Sequence, residues 1–178
     1  MLIYITGGVR SGKSRYAVEL AKRMAQRVVF VATCIPKDAE MRRRVERHRR
    51  DRPQSWKTLE NRLDLAGVFA EIDARTELVL LDCLTLFVSW RLMQKEGESE
   101  ICARVDKLCR AAASSRVTTI IVSNEVGSGL VPSTVLGRKF QNIAGFANQI
   151  VARRANEAYL MVSGLPVRLK GNPGGTKG

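Results

Sequence analysis

An α/β fold, with a mostly parallel sheet covered by helices on both faces, is predicted from three observations. Unbroken apolar runs recur at Leu2–Ile5, Val28–Thr33, Leu78–Leu81, Thr118–Ser123 and Ala158–Ser163. Helix-like stretches precede the later runs, and a strand that is apolar on both faces must be covered on both. The first run passes directly into Thr6-Gly7-Gly8, a strand that ends in a tight loop. With 178 residues, 45% of them hydrophobic, the chain can bury enough surface to offset the entropy of ordering one domain.

The elements follow in order. A helix begins near Lys13, where Tyr16, Ala17, Leu20, Ala21 and Met24 keep helical spacing and Arg15, Glu19, Lys22 and Arg23 form the polar side. Between Asp38 and Arg50, Met41, Val45 and His48 fall on one side of a second helix, with arginines over most of the rest, and Pro53 ends it. Cys102 and Cys109, seven apart in a helical segment, read as small apolar fillers of one face. A long amphipathic helix is expected from Leu136 to about Asn156, through Phe140, Ile143, Ala144, Ala147, Ile150 and Val151. Residues 1–170 therefore read as one domain and 171–178, rich in glycine, as a flexible tail.

Thirty Lys and Arg against seventeen Asp and Glu give a formal net charge of +13, so the molecule attracts anions. Four cysteines without a C-x-x-C pair and a single histidine, His48, leave neither a disulfide framework nor ligands at zinc spacing. No apolar run approaches the roughly 20 residues of a membrane-spanning helix. The first run is also too short for a signal-peptide core, so the protein is expected to be cytoplasmic.

Gly7-Gly8-Val9-Arg10-Ser11-Gly12-Lys13-Ser14 fits G-x-x-x-x-G-K-[ST] in the context that makes the pattern credible, after a buried strand and at a helix start. The fold class is thereby narrowed to a P-loop NTPase with a RecA-like sheet. Glycines let the loop curl so that backbone N–H groups point at phosphate oxygens, and the helix N-terminus reinforces the same field. Lys13 would reach the β and γ phosphates and Ser14 would hold Mg²⁺. Asp82 closes the apolar run Leu78–Leu81 and is the candidate second ligand for the metal. Ser123-Asn124-Glu125 ends another predicted strand. Glu125 reads equally as a border of the cleft or as a solvated loop acid.

The segment Val31-Ala32-Thr33, Asp38-x-Glu40-Met41, His48, Arg52-Pro53-x-x-Trp56-x-Thr58-x-Glu60 resembles the adenosylcobinamide kinase / adenosylcobinamide-phosphate guanylyltransferase family of cobalamin assembly. Matches continue in order through Asp82-Cys83, Asn124-Glu125-Val126-Gly127-x-Gly129-x-Val131-Pro132, Ala144-Gly145-x-x-Asn148-Gln149 and Val162-Ser163-Gly164, so the resemblance covers almost the whole chain.

The resemblance implies a bifunctional enzyme. A hydroxyl of adenosylcobinamide is phosphorylated with ATP or GTP, and GMP is then transferred from GTP to adenosylcobinamide phosphate through a guanylylated histidine, His48, with release of pyrophosphate. It also implies nucleotide contacts at the loop Gly7–Ser14, at Ala32, Thr33 and Cys34, at Arg49, Arg50, Asp51 and Arg52, and at Glu60 and Asp82. Mg²⁺ would be held by Ser14 and Asp82, and the family's oligomer is a homotrimer. Cys34 replaces a frequent small hydroxyl residue, and Asp51 a frequent glycine. The residue chemistry suits the covalent role. A histidine nucleophile must be neutral, and neighbouring arginines favour the neutral ring while attracting triphosphate. The alternative reading is a RecA-like nucleic-acid-binding ATPase that uses the basic run Arg42–Arg52. Against it, that run lacks the aromatic platforms on which single-stranded bases stack, so neither nucleic acid nor membrane is expected as a partner.

Overall fold

Six parallel strands and one antiparallel edge strand form a single sheet in a computed structural model that describes residues 1–34, 39–50, 52–60 and 64–171. Within 39–50 the side chains of Glu40, Met41, Arg42, Arg44, Arg47 and His48 fall outside the described residues, as do Asp51 and the expected tail from 172 onward.

The strands are β1 (Leu2–Gly7), β2 (Val28–Ala32), β3 (Lys57–Glu60), β4 (Leu78–Asp82), β5 (Thr118–Val122), β6 (Glu157–Val162) and β7 (Leu165–Lys170). The helices are α1 (Lys13–Met24), α2 (Ala39–Arg50), α3 (Val68–Glu71), α4 (Leu84–Met93), α5 (Glu98–Ser114) and α6 (Val135–Arg154). Strand order is β3-β2-β4-β5-β1-β6-β7, with only β6 and β7 antiparallel. The expected α/β class is what the chain adopts.

Strand alternation sorts the apolar runs into two cores. Leu2, Tyr4, Val79, Leu81 and Ile121 face α4, α5 and α6, while Ile3, Ile5, Phe30, Leu80, Ile120 and Val122 face α1. Each fully buried Leu or Ile contributes about 1.5–3 kcal/mol relative to exposure, and the central strands carry them on both faces. α1 buries Ala17, Val18 and Ala21, and α6 buries Ile143, Ala144, Ala147 and Val151. Leu136, expected on the apolar side of that helix, is instead 57% exposed, because α6 meets the core only from Phe140 onward. Cys109 is fully buried as expected, but Cys102, two turns earlier, is only half-buried.

Two strands escape the sequence pattern. β3 is four residues long and buries only Leu59. β7 is exposed at every residue, so it has no apolar burial to announce it, and it is held by its antiparallel pairing with β6.

Candidate active site

Register places the chemistry. Glu60 pairs with Ala32, Ala32 with Asp82, and Asp82 with Val122, so the ends of β3, β2, β4 and β5 form one row at the carboxyl edge of the sheet. β1 lies beside β5, with Ile5 opposite Val122, and its chain runs two residues past the row into the glycine loop. One strand separates Asp82 from the loop, a gap of about 10 Å at ordinary strand spacing. Ligands of open α/β sheets bind at this edge.

The loop is a tight curl between β1 and α1. Arg10 and Gly12 have φ of 58° and 91°, and Ser11 N–H donates to the Gly8 carbonyl at 3.3 Å. Lys13, 7% exposed, is the first residue of α1, and its Nζ donates to the Gly8 carbonyl at 2.9 Å. This holds an ammonium across the mouth of the loop, where an anion meets it together with the helix N-terminus. Gly8, Val9 and Arg10 are exposed, and Ser14 is half-buried in the first turn of α1. The Ser11 hydroxyl is buried and has no hydrogen-bond partner among the described residues, although buried polar groups are normally satisfied. A hydroxyl in that state suits a loop built to accept further oxygen atoms.

Behind the edge lies a polar chain that the sequence reading did not assemble. Thr33 Oγ1 donates to the Cys83 carbonyl at 2.7 Å and accepts from Cys83 N–H at 2.9 Å, which ties the end of β2 to the residue after Asp82. Cys83 Sγ lies 2.7 Å from Thr85 Oγ1, and Asn124 Nδ2 donates to the same Thr85 oxygen at 2.8 Å. Asn148, on the buried face of α6, donates through Nδ2 to the Asn124 carbonyl at 3.0 Å and accepts from Ser123 Oγ at 2.7 Å. The ends of β2, β4 and β5 are thus joined to α4 and α6 by side chains rather than by ladder bonds alone. In the sequence, a polar Asn148 among Ala144, Ala147 and Val151 marks the chain, and Thr33, Cys83, Asn124 and Asn148 all fall within the family motifs.

Burial pushes the Cys83 thiol up, and the neighbouring Asp82 charge pushes it the same way. Burial likewise raises the Tyr4 phenol. Both groups stay neutral at physiological pH and add no charge to this edge. Glu125 borders the loop through its main chain, its N–H donating to the Gly7 carbonyl at 3.0 Å, while its carboxylate accepts from Gly127 N–H at 2.9 Å.

Other expected contacts are distributed as follows. Ala32, Thr33 and Cys34 stand at the end of β2, with Thr33 buried and Cys34 half-buried, and Glu60 is exposed at the end of β3. Asp82 is half-buried at the end of β4. Arg49 and Arg50 are exposed in the last turn of α2, the turn that also carries His48. Arg52 is turned inward, 8% exposed, with its guanidinium carbon 3.7 Å from the centroid of the Phe30 ring. The side chain of His48 and the whole of Asp51 lie outside the described residues.

Comparison with known proteins agrees with this geometry. The family profile described as CobU, "Cobinamide kinase / cobinamide phosphate guanyltransferase", matches residues 3–169. The bifunctional adenosylcobalamin biosynthesis protein CobU of Escherichia coli (strain K12) is 39% identical over 183 aligned positions, covering 96% of this chain and 100% of that protein. CobP of Pseudomonas aeruginosa is 38% identical, covering 95% and 97%, and CobU of Salmonella typhimurium is 36% identical, covering 96% and 100%. Among solved structures, a KaiC-like protein from Pyrococcus horikoshii OT3 superposes with a TM-score of 0.54 at 17% identity, over 89% of this chain and 71% of that one, a likeness of fold alone. A glycine loop at the carboxyl edge of a parallel sheet, an acid with one strand between it and the loop, and a match spanning almost the whole sequence converge, and the chain belongs to the CobU family of cobinamide kinases / cobinamide phosphate guanyltransferases.

Proposed function

We propose that this protein phosphorylates adenosylcobinamide with ATP or GTP, and then transfers GMP from GTP to adenosylcobinamide phosphate through a guanylylated His48. The observation that carries the reading is the buried Lys13 ammonium held on the Gly8 carbonyl at the mouth of the glycine loop. The family match over residues 3–169 supplies the substrate class.

In the kinase reaction the loop N–H groups and Lys13 bind the β and γ phosphates. The γ-phosphoryl group passes in line to the substrate hydroxyl, whose proton is released, and the nucleoside diphosphate leaves. In the guanylyl reaction a neutral His48 nitrogen attacks the α phosphorus. The bond to the bridging oxygen breaks, pyrophosphate departs, and the ring releases a proton. A phosphate oxygen of adenosylcobinamide phosphate then attacks the same phosphorus, the P–N bond breaks, and the imidazole takes up a proton as it leaves, giving adenosylcobinamide-GDP and neutral His48. Splitting the transfer lets each displacement proceed with one mobile partner.

Arg49 and Arg50, exposed beside His48 in sequence, draw the triphosphate toward that turn. Ala32, Cys34 and Glu60 line the row where base and ribose would lie. Thr33 offers only its main chain, since its hydroxyl is engaged with Cys83. Arg52 acts by holding the turn after α2 against Phe30. Ser14 and Asp82 supply a hydroxyl and a carboxylate, both hard oxygens, a donor set that suits Mg²⁺ completed by phosphate oxygens and water. The metal would neutralise charge on the phosphates when bound.

The test is incubation with Mg²⁺ and GTP labelled in turn at the α and γ phosphates, followed by denaturing separation. Acid-labile, alkali-stable label is expected from the α position only, and none on His48→Ala. Label that persists on the variant would remove His48 from the mechanism.

A further inference from the structure

The glycines at both ends of the phosphate loop answer to one neighbour, the β6–β7 hairpin. Gly7 pairs in register with Met161, and a Cβ there would come within 2.6 Å of Ser11 Oγ inside the loop and, on the hairpin side, within 2.7 Å of the Met161 carbonyl oxygen and 3.1 Å of its Cβ. At the other end, a Cβ on Gly12 would lie 3.2 Å from the Gly164 Cα. Between them, the Gly164 N–H donates to the Ser11 carbonyl at 3.0 Å. The hairpin turn itself has two consecutive left-handed residues, Ser163 at φ 50° and Gly164 at φ 86°. This is the backbone signature of a type I′ turn, whose twist suits the flanking strands. Crowding does not demand glycine at 164, where a Cβ would meet only an Arg15 guanidinium nitrogen at 3.6 Å. The positive φ instead favours glycine or asparagine there.

We infer that the Ser163–Gly164 turn is a positioning element of the phosphate cradle, with Gly164 as its key residue. The inference rests on the reading of Gly7–Ser14 as a phosphate-binding loop. Gly164 has no side chain to offer a ligand and acts through the loop. Its N–H holds the Ser11 carbonyl toward the hairpin, and a carbonyl left free to swing toward a bound anion would repel it. Its Cα closes the space behind Gly12, so the helix N-terminus keeps one direction. A loop already ordered before the anion arrives avoids the entropy of ordering it on binding. The exposed edge hairpin, which lies far along the chain from the motif, thereby sets how well the motif binds.

The probe is inorganic tripolyphosphate with Mg²⁺, titrated calorimetrically into the full chain, with the melting midpoint of each variant measured without ligand. Asn tolerates a positive φ and a β-branched residue does not. Gly164→Asn is therefore expected to bind within about threefold of wild type, Gly164→Val to bind about tenfold more weakly or worse, and Gly164→Ala to fall between. Gly171, at φ 108° at the far end of the same hairpin, is the control. Gly171→Val is expected to lower the melting midpoint and leave tripolyphosphate affinity unchanged. The inference is overturned if folded Gly164→Val and Gly164→Ala bind as tightly as wild type, or if Gly171→Val weakens binding as much as Gly164→Val. Should Gly164→Val not fold, the Asn and Ala variants decide by the same criterion. A wild-type protein that does not bind tripolyphosphate would overturn the cradle reading and this inference together, whereas binding unaffected by Gly164 would overturn this one alone.

Discussion

Asn148 shows how one side chain can join two parts of the active edge. Its amide is buried and both ends are engaged, with Ser123 Oγ and with the Asn124 carbonyl. Removing it leaves the buried Ser123 hydroxyl and the half-buried Asn124 carbonyl without that partner, and a buried polar group costs about 1–3 kcal/mol when unsatisfied. Asn148→Ala is expected to lower unfolding free energy by about 2–3 kcal/mol, read as a shift in urea midpoint at unchanged slope. Lys13 presents the opposite case, since its ammonium donates to the Gly8 carbonyl of the loop and stands at the mouth of the cradle. Lys13→Ala is expected to reduce both the kinase and the guanylyl reactions by about a hundredfold or more, because a preorganised charge in a shielded site has no substitute there. Retention of both rates in steady-state assays would show that the loop is not shared between them.

At the scale of elements, α5 and α6 are fastened beyond the sheet by one carboxylate. Asp106 on α5 accepts from Arg154 Nε at 2.6 Å and from Arg110 Nε at 2.7 Å. Desolvation works to raise its carboxyl, but hydrogen bonds from Arg110 and Arg154 outweigh it and hold the group below its ordinary value of 3.8. In acid the unfolded chain therefore takes up this proton before the native state does. The contribution is full above about pH 5 and is lost as pH falls through 3.8 and below. Because Arg110 and Arg154 are largely exposed, solvent screening limits the effect to about 0.5 kcal/mol. Asp106→Asn is expected to lower stability by that amount at pH 7 and to shrink the difference between variant and wild type below pH 4, as chemical denaturation at the two pH values would report.

For the whole molecule, the sheet leaves β3 and β7 at its edges, and apolar side chains remain in solvent where α6 begins and along β7. Val135, Leu136, Leu165 and Leu169 are all more than half exposed. The family resemblance implies a trimer, and these positions are where a second copy would remove apolar surface from water. Sedimentation equilibrium is expected to give three times the chain mass of 19.8 kDa. The variant Leu136→Glu is expected to shift the mass toward the single chain, and a wild-type protein that sediments as a monomer at micromolar concentration would refute the trimer. Among the described residues no helix is long and apolar enough to cross a membrane.

What the amino-acid order determined by itself was whatever a local pattern can encode. Continuous apolar runs fix the buried strands, the spacing of Ala17, Leu20 and Ala21 fixes α1, and the eight residues Gly7–Ser14 fix the loop, because each rests on neighbours within a few positions. The family order of motifs implies further roles, for His48 and the nucleotide contacts, which stand as proposals. Only the folded chain decided which strand ends share a row, since the order β3-β2-β4-β5-β1 brings Glu60, Ala32 and Asp82 into register although they stand far apart in sequence. It alone decided that the Thr33 hydroxyl serves Cys83, that Arg52 lies on Phe30, and that Gly164 backs Ser11 and Gly12. These are contacts of main-chain atoms, of small polar groups and of one guanidinium on a ring, with no periodicity of their own, and β7, exposed at every residue, carries no burial pattern at all. Periodicity reports which face is buried, and only tertiary packing reports what that face meets.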